Sequence, residues 1–166
     1  MRGAQTGIAV AVIEVSIVIR APVKVCFDVA RDIDLHTRST AKTRERAIGG
    51  FTKGPIGMGQ EVTWEAVHFG VRQTLISRIT AFNPPTHFRD SQVRGAFARF
   101  DHDHVFEFID GQTTRMIDRF DYTARSGWLG RLADALFLEQ YMTRFIAERS
   151  RFLKKAAERE MNLRDR

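Results

Sequence analysis

Cysteine and long apolar runs are both scarce in this 166-residue sequence. The single cysteine, Cys26, excludes an intrachain disulfide, and its place on the apolar face of a short predicted helix predicts an inert thiol. The longest apolar run, residues 7–19, contains Glu14 and Ser16, lacks a typical signal-peptide cleavage site and is too short to span a bilayer. We therefore expect a cytoplasmic protein.

Several motifs of enzymes and binding proteins are also missing. The sequence has no GxSxG nucleophile motif and no dinucleotide fingerprint, and the glycine-rich residues 54–59 lack the lysine and hydroxyl residue of a phosphate-binding loop. Basic residues outnumber acidic ones by 26 to 20, but they are spread along the chain without a nucleic-acid motif. We do not expect nucleic-acid binding, whereas the basic helical residues 144–155 leave contact with an acidic partner or a membrane surface as an open alternative.

Phenylalanine, in contrast, is abundant, with 13 residues against two tryptophans and two tyrosines. Phenylalanine adds bulk without a polar atom and therefore suits a dry core or an apolar cavity. The chain length fits one domain with a sizeable core.

Residues 127–158 carry the strongest periodic pattern. Apolar residues recur there at intervals of three and four, no proline interrupts them, and Ser126-Gly127 is a plausible cap. The pattern predicts a helix roughly 45 Å long. A coiled coil is less favoured, because the apolar stripe is wider than a heptad seam and carries large aromatic residues. The helix therefore needs a partner surface within the same domain.

The residues before this helix predict two short helices and about seven strands. The helices are expected at residues 22–31 and 35–40. Alternation of apolar and polar residues predicts strands at residues 10–20, 43–48, 61–69, 71–82, 86–93, 97–109 and 113–124. We predict an α+β helix-grip fold, in which a curved antiparallel sheet wraps around the C-terminal helix and the two short helices follow the first strand. The domain is expected to span residues 8–160, with loose tails at 1–7 and 161–166.

Three segments, in this order, resemble a known superfamily. Residues 20–30 (RAPVKVCFDVA) are similar to the APxxxVFxxxxD opening of the START-like helix-grip proteins, the SRPBCC superfamily, which includes birch-pollen-allergen-like and polyketide cyclase/dehydrase-like members. Residues 57–59 (GMG) precede a strand as in that superfamily, and residues 79–85 (ITAFNPP) resemble its VTExxPP segment. The HFG and DHDH segments are similar to a bacterial branch described only as ligand-binding. The resemblance implies an elongated pocket for an apolar ligand between sheet and helix.

His102 and His104 are the sharpest chemical feature of the sequence. An HxH pair on a strand places both imidazoles on one face, roughly 7 Å apart along the chain, and Phe100, Phe106 and Phe108 share that face. If the face is concave, the histidines point into the cavity, where they could anchor a ligand or exchange protons near neutral pH.

Two further interpretations of the pair stay open. One is a metal site, completed by His68 or His36 as the third ligand. The other is a structural role, in which both imidazoles form hydrogen bonds with Asp, Tyr or the backbone. The HxH pattern alone is a weak metal signal, so we assign neither a metal nor a cofactor.

The predicted function is binding of a small hydrophobic molecule of the lipid, polyketide or aromatic type, by a monomer or homodimer. The alternative is an aromatase/cyclase- or dehydratase-like enzyme that uses His102 or His104 as its acid–base group. Asp118, if it is buried, needs a partner such as His102, His104 or Arg72. The predicted ligand-binding residues are His36, Trp64, His68, Phe100, His102, His104, Phe106, Met116, Asp118, Phe120, Leu136 and Met142.

Overall fold

The computed structural model describes residues 10–124 and 132–164, with burial of side chains defined for residues 10–124 and 136–163. Its helices are α1 (Val23–Ala30), α2 (Ile33–Ser39) and α3 (Leu132–Arg164), and a single 3₁₀ turn covers Ala41–Thr43. Its strands are β1 (Val10–Ile19), β2 (Arg46–Gly50), β3 (Glu61–His68), β4 (Val71–Asn83), β5 (His87–Arg94), β6 (Arg99–Asp110) and β7 (Thr113–Thr123).

The seven strands form one antiparallel sheet in the order β1-β7-β6-β5-β4-β3-β2. Sequential hairpins build most of this order. Between β3 and β4 the two-residue turn Phe69-Gly70 has positive φ at both positions, which matches the twist of the flanking strands. Helix α3 packs against β1, α1 and α2. The predicted α+β helix-grip architecture is confirmed.

The core consists of two clusters of buried side chains. The first surrounds α1, where the ring of Phe27 contacts Phe82, Phe88 and Phe106 at centroid distances of 5.5–5.7 Å. The second joins β1, β6 and β7 to the first half of the described part of α3; its buried residues are Ile13, Phe100, Phe120, Tyr122, Leu138, Met142 and Ile146. This division matters for function, because the second cluster contributes to the wall of a cavity.

Local hydrogen bonds explain where element boundaries differ from the prediction. Helix α2 begins two residues early, because the Asp32 side chain caps it by accepting from the Leu35 backbone N–H at 2.9 Å. Strand β2 begins late, because the 3₁₀ turn before it ends at Arg44, whose φ of 52° is left-handed. Helix α3 continues to Arg164, so residues 161–164 are helical and not a tail. The predicted cap at Ser126-Gly127 lies outside the described residues.

Part of the basic stretch at residues 144–159 has a structural role. Arg149 is buried, and Lys154 donates to the Val18 carbonyl at 2.6 Å and to Glu158 at 2.8 Å. These contacts tie α3 to β1 and reduce the charge that α3 can offer to a partner. None of the described helices is both long and apolar enough to cross a membrane.

Cys26 should not react with thiol reagents in the folded protein. Its side chain lies on the buried face of α1, its thiol donates to the Ala21 carbonyl at 3.6 Å, and burial raises the pKa of the thiol to about 11. We expect no labelling by DTNB at pH 8 in buffer and labelling of one thiol per chain after unfolding in urea. Rapid labelling of the folded protein would show that this end of the core opens.

Candidate functional site

A cavity of about 130 Å³ lies between the concave face of the sheet and the first half of α3. Its wall is largely aromatic, formed by Trp64, Phe97, Phe100, Phe120, Tyr141 and Phe145. Three of the lining residues, Phe69, Thr74 and Ala96, are exposed, and two of them, Phe69 and Ala96, mark the mouth at the β3–β4 and β5–β6 turns. The cavity is therefore an apolar space with an opening at the turns of the sheet.

Seven of the twelve predicted ligand-binding residues line this cavity. They are His36, Trp64, His68, Phe100, His102, Phe120 and Met142. Side chains alternate between the two faces of a strand, so Trp64 and His68 of β3 point to the concave face, as do Phe100 and His102 of β6.

The other five predicted residues do not line the cavity. Phe106 and Met116 face each other in the β6–β7 register and pack into the first core cluster. Leu136 is 60% exposed, because Leu138 and Met142 carry the buried face of α3 at this level. His104 and Asp118 are buried beside the cavity and bind other protein groups.

Asp118 is the centre of a buried polar network. The side chain has no exposed surface, and its Oδ1 atom accepts from Nδ1 of His104 at 2.7 Å and from Nε2 of His102 at 3.2 Å. Two residues of α3 complete it: Arg149 Nη1 donates to Oδ1 at 3.3 Å, and Ser150 Oγ donates to Oδ2 at 2.7 Å. Of the three alternative partners considered from the sequence, His102 and His104 are the two that contact Asp118.

His104 is held between two carboxylates. Its Nε2 atom lies 3.1 Å from Oδ1 of Asp90 on β5, while Nδ1 faces Asp118. Nδ1 of His102 lies 3.8 Å from the same Asp90 oxygen. Asp90 and His102 line the cavity, so this network reaches the cavity wall through them. Arg72, the other predicted partner of Asp118, is instead on the surface, 3.6 Å from Glu65.

A second polar group lies on the wall near the mouth. Nδ1 of His68 and the Tyr141 hydroxyl are 2.7 Å apart. The His36 ring packs against Trp64 with 4.3 Å between centroids and a tilt of 32°, and Nε2 of His36 is 3.5 Å from Glu45 without a well-formed hydrogen bond. The wall thus offers hydrogen-bonding atoms at two places in a mainly aromatic surface.

Comparison with solved structures identifies the fold. The chain is similar to the Zhui aromatase/cyclase from Streptomyces sp. R1128, with a TM-score of 0.75 and 17% identity over 92% of this chain and 96% of that one. It is also similar to a START superfamily protein from Mycobacterium smegmatis, with a TM-score of 0.69 and 8% identity over 89% of this chain and 97% of that one. The chain has the START-like helix-grip fold.

Other solved structures give the same result. A protein from Thermus thermophilus matches with a TM-score of 0.72 and 17% identity, over 89% of this chain and 97% of that one. No protein-family model matches the sequence, and no curated protein does. At these identities the likeness concerns the START-like fold alone, and the chemistry must be argued from this chain's own residues.

The network assigns different charge states to His102 and His104. Both nitrogens of His104 face carboxylate oxygens, and both can donate only as imidazolium. Burial by itself lowers the pKa of His104, but the hydrogen bonds with Asp118 and Asp90 raise it above its usual value. Burial and the nearby His104 charge lower the pKa of His102, which is therefore neutral near pH 7.

The two carboxyl groups of the network, Asp118 and Asp90, both have lowered pKa values. Burial alone would raise the pKa of Asp118, but hydrogen bonds from His102 and His104 and the charge of Arg149 hold it well below its usual value. Asp90 is likewise lowered in pKa against the effect of its burial, mainly by His104. Near the mouth, burial lowers the pKa of His68. Near pH 7 His68 and His102 are therefore neutral, while the Asp90 and Glu45 carboxylates, whose pKa values are lowered, bring negative charge to the same cavity wall.

Sequence reasoning missed Asp90, Glu45, Tyr141 and Arg149. Asp90 lies opposite His102 in the β5–β6 register, so alternation along β5 together with that register would have placed it on the concave face. Arg149 and Tyr141 lie on the inner side of α3. This helix was predicted from the spacing of apolar residues, and that spacing does not indicate what a guanidinium or a hydroxyl group on the inner side contacts. Glu45 follows the 3₁₀ turn and carries no periodic signal.

Proposed function

We propose that this protein binds a small aromatic or polycyclic molecule with a hydrogen-bonding oxygen, in the cavity between the sheet and α3. The observation that carries the proposal is the composition of the wall, in which aromatic rings surround the space and imidazole, phenol and carboxylate groups meet it at two places. Sites of this kind obtain affinity from apolar burial and orientation from a few polar atoms.

The size of the cavity favours ring compounds over long acyl chains. An engineered apolar cavity of about 150 Å³ binds benzene. The cavity here, at about 130 Å³, is of the same order and opens at a mouth, so a second ring could extend toward Phe69. Burial of roughly ten ligand carbons at about 0.8 kcal/mol each gives micromolar affinity before the costs of association.

Titration with 2-naphthol, followed by isothermal calorimetry, tests this proposal. We expect saturable binding of one molecule per chain and weaker binding of dodecanoic acid, whose chain is longer than the space. The absence of saturable binding of 2-naphthol, or a clear preference for dodecanoic acid, would overturn the proposed ligand class.

We infer a second candidate function, proton transfer on a bound ketone, of the kind that a cyclase or dehydratase requires. His102 favours it, because Asp118 orients its ring, the side chain lines the cavity and its lowered pKa keeps it neutral as a base. His104 does not fit this role, because it is buried and both of its nitrogens face carboxylates. The solved structures of similar fold include the Zhui aromatase/cyclase and a Thalictrum norcoclaurine synthase, which are enzymes by name.

Deuterium exchange at the α carbon of 2-tetralone separates the two functions. An enzyme of this type should accelerate the exchange, and His102→Gln should slow it by roughly 100-fold or more, since general bases contribute at least that much. Binding of 2-tetralone without acceleration would leave ligand binding as the function and remove His102 as a base.

A further inference from the structure

We propose that Asp90, His102 and His104 form a binding site for a divalent transition metal ion such as Zn²⁺. One ligand atom of each residue lies within 4.8 Å of the other two. The short distances are 3.1 Å from His104 Nε2 to Asp90 Oδ1 and 3.8 Å from His102 Nδ1 to the same oxygen. Three ligands at zinc bond lengths around a tetrahedral ion are separated by roughly 3.3 Å, so a small adjustment of these side chains would accommodate the ion.

Asp118 orients the two histidines for this role. It faces Nε2 of His102 and Nδ1 of His104, which leaves Nδ1 of the first and Nε2 of the second directed toward Asp90. A carboxylate on the far nitrogen is the usual support of a metal-bound histidine, because it fixes the tautomer and strengthens the ligand. Arg149 and Ser150 in turn hold Asp118 in place.

Metal binding replaces a proton in the network. His104 would keep the Nδ1 proton that it donates to Asp118 and release the Nε2 proton to solvent, so that the Nε2 lone pair binds the ion. Asp90 supplies a negative charge directly, and Asp118 supplies a second one behind the histidines. Arg149 opposes the added positive charge, and a negatively charged fourth ligand, such as hydroxide or a ligand oxyanion, would restore the balance.

The site can be reached from the cavity. Asp90 is 23% and His102 12% exposed, and both line the cavity wall, whereas the third ligand is buried. Two histidines and one carboxylate leave a coordination position open, as in catalytic rather than structural zinc sites. His68 and His36, the third ligands considered from the sequence, instead contact Tyr141 and Trp64. A bound ion would occupy Nδ1 of His102, so metal binding and the proposed base role exclude each other.

The experiment measures binding of Zn²⁺ alone by calorimetry to the untagged protein, and the visible absorption of bound Co²⁺. We expect one ion per chain, with the intense absorption of a four-coordinate Co²⁺ complex, and weakening of at least tenfold in Asp90→Asn. The matched controls are Asp101→Asn and His87→Gln, two side chains whose partners Ser91 and Asp103 lie outside the proposed site, and both should bind like the wild type.

Two outcomes would overturn the proposal. One is a wild type that binds no stoichiometric Zn²⁺; the other is an Asp90→Asn variant that is folded by circular dichroism and binds as tightly as the controls. If Asp90→Asn does not fold, His102→Gln provides the same comparison, since it removes a ligand at the partly exposed side of the site. Because 2-naphthol binding is measured without metal, failure of the metal site leaves the proposed ligand binding standing.

Discussion

Asp118→Asn should lower the free energy of unfolding by roughly 3–5 kcal/mol, because it removes one partner from a buried, charge-paired network. The substitution preserves the shape of the side chain, so it creates no cavity. It leaves Arg149 and His104 without the negative charge that both contact at present. Urea denaturation at pH 7, with the slope m held in common, measures the loss.

Asp121→Asn is the matched control on the same strand. Asp121 pairs with Arg99 at 2.6 Å, but its side chain is 31% exposed, and such pairs contribute less than about 1 kcal/mol. Equal effects of the two substitutions would contradict the view that the Asp118 network is a main support of the contact between α3 and the sheet.

The free energy of unfolding of Asp118→Asn should also depend on pH differently from that of the wild type. The pKa of Asp118 is far lower in the folded than in the unfolded chain, so its contribution to stability is complete above about pH 4 and is lost as the pH falls toward the folded-state pKa. The stability of the wild type should therefore fall below pH 4 more steeply than that of Asp118→Asn, and the difference between them should narrow. If the stability of the two proteins fell in parallel as the pH is lowered, the pKa of Asp118 would not be lowered in the folded protein, and the prediction would be wrong.

Ala66→Phe should weaken 2-naphthol binding at least tenfold, equivalent to about 1.4 kcal/mol. Ala66 lies on β3 between Trp64 and His68, and it is a buried residue of the cavity wall. A phenyl ring at this position would occupy space that the ligand needs. Overpacking typically costs about 1–3 kcal/mol, and here the ring enters an existing space, so the fold should persist.

Val67→Phe is the control for added bulk on the same strand. Val67 is the next residue of β3 and points to the convex face, and it does not line the cavity. Its affinity for 2-naphthol should stay within about twofold of the wild type. Loss of binding in both variants, or in neither, would place the ligand outside the cavity between the sheet and α3.

The fold could be predicted because its signals are local. Alternation of apolar and polar residues predicted the strands, and the spacing of three and four residues predicted α3. The same alternation correctly placed His102 on the face of Phe100. These patterns depend on neighbours within a few residues, so one sequence is enough to read them.

The candidate site was harder to predict because it depends on which residues of neighbouring strands pair and on which elements cover each part of the sheet. Asp90 meets His102 and His104 only through the pairing of β5 with β6, which alternation does not define. Phe106 and Phe100 share a face, yet only Phe100 reaches the cavity, since the Phe106 side chain packs below α1. Leu136 fits an apolar stripe in the sequence but lies on the exposed side of α3. A pattern gives the face of an element and leaves open what covers that face.

A crystal structure of the protein with 2-naphthol tests the central claim most directly. We expect electron density for one naphthol between the sheet and α3, with its rings against Trp64, Phe100 and Phe120 and its oxygen within hydrogen-bonding distance of His102, Asp90, His68 or Tyr141. Density for the ligand only on the outer surface, or a cavity closed by these same side chains, would contradict it.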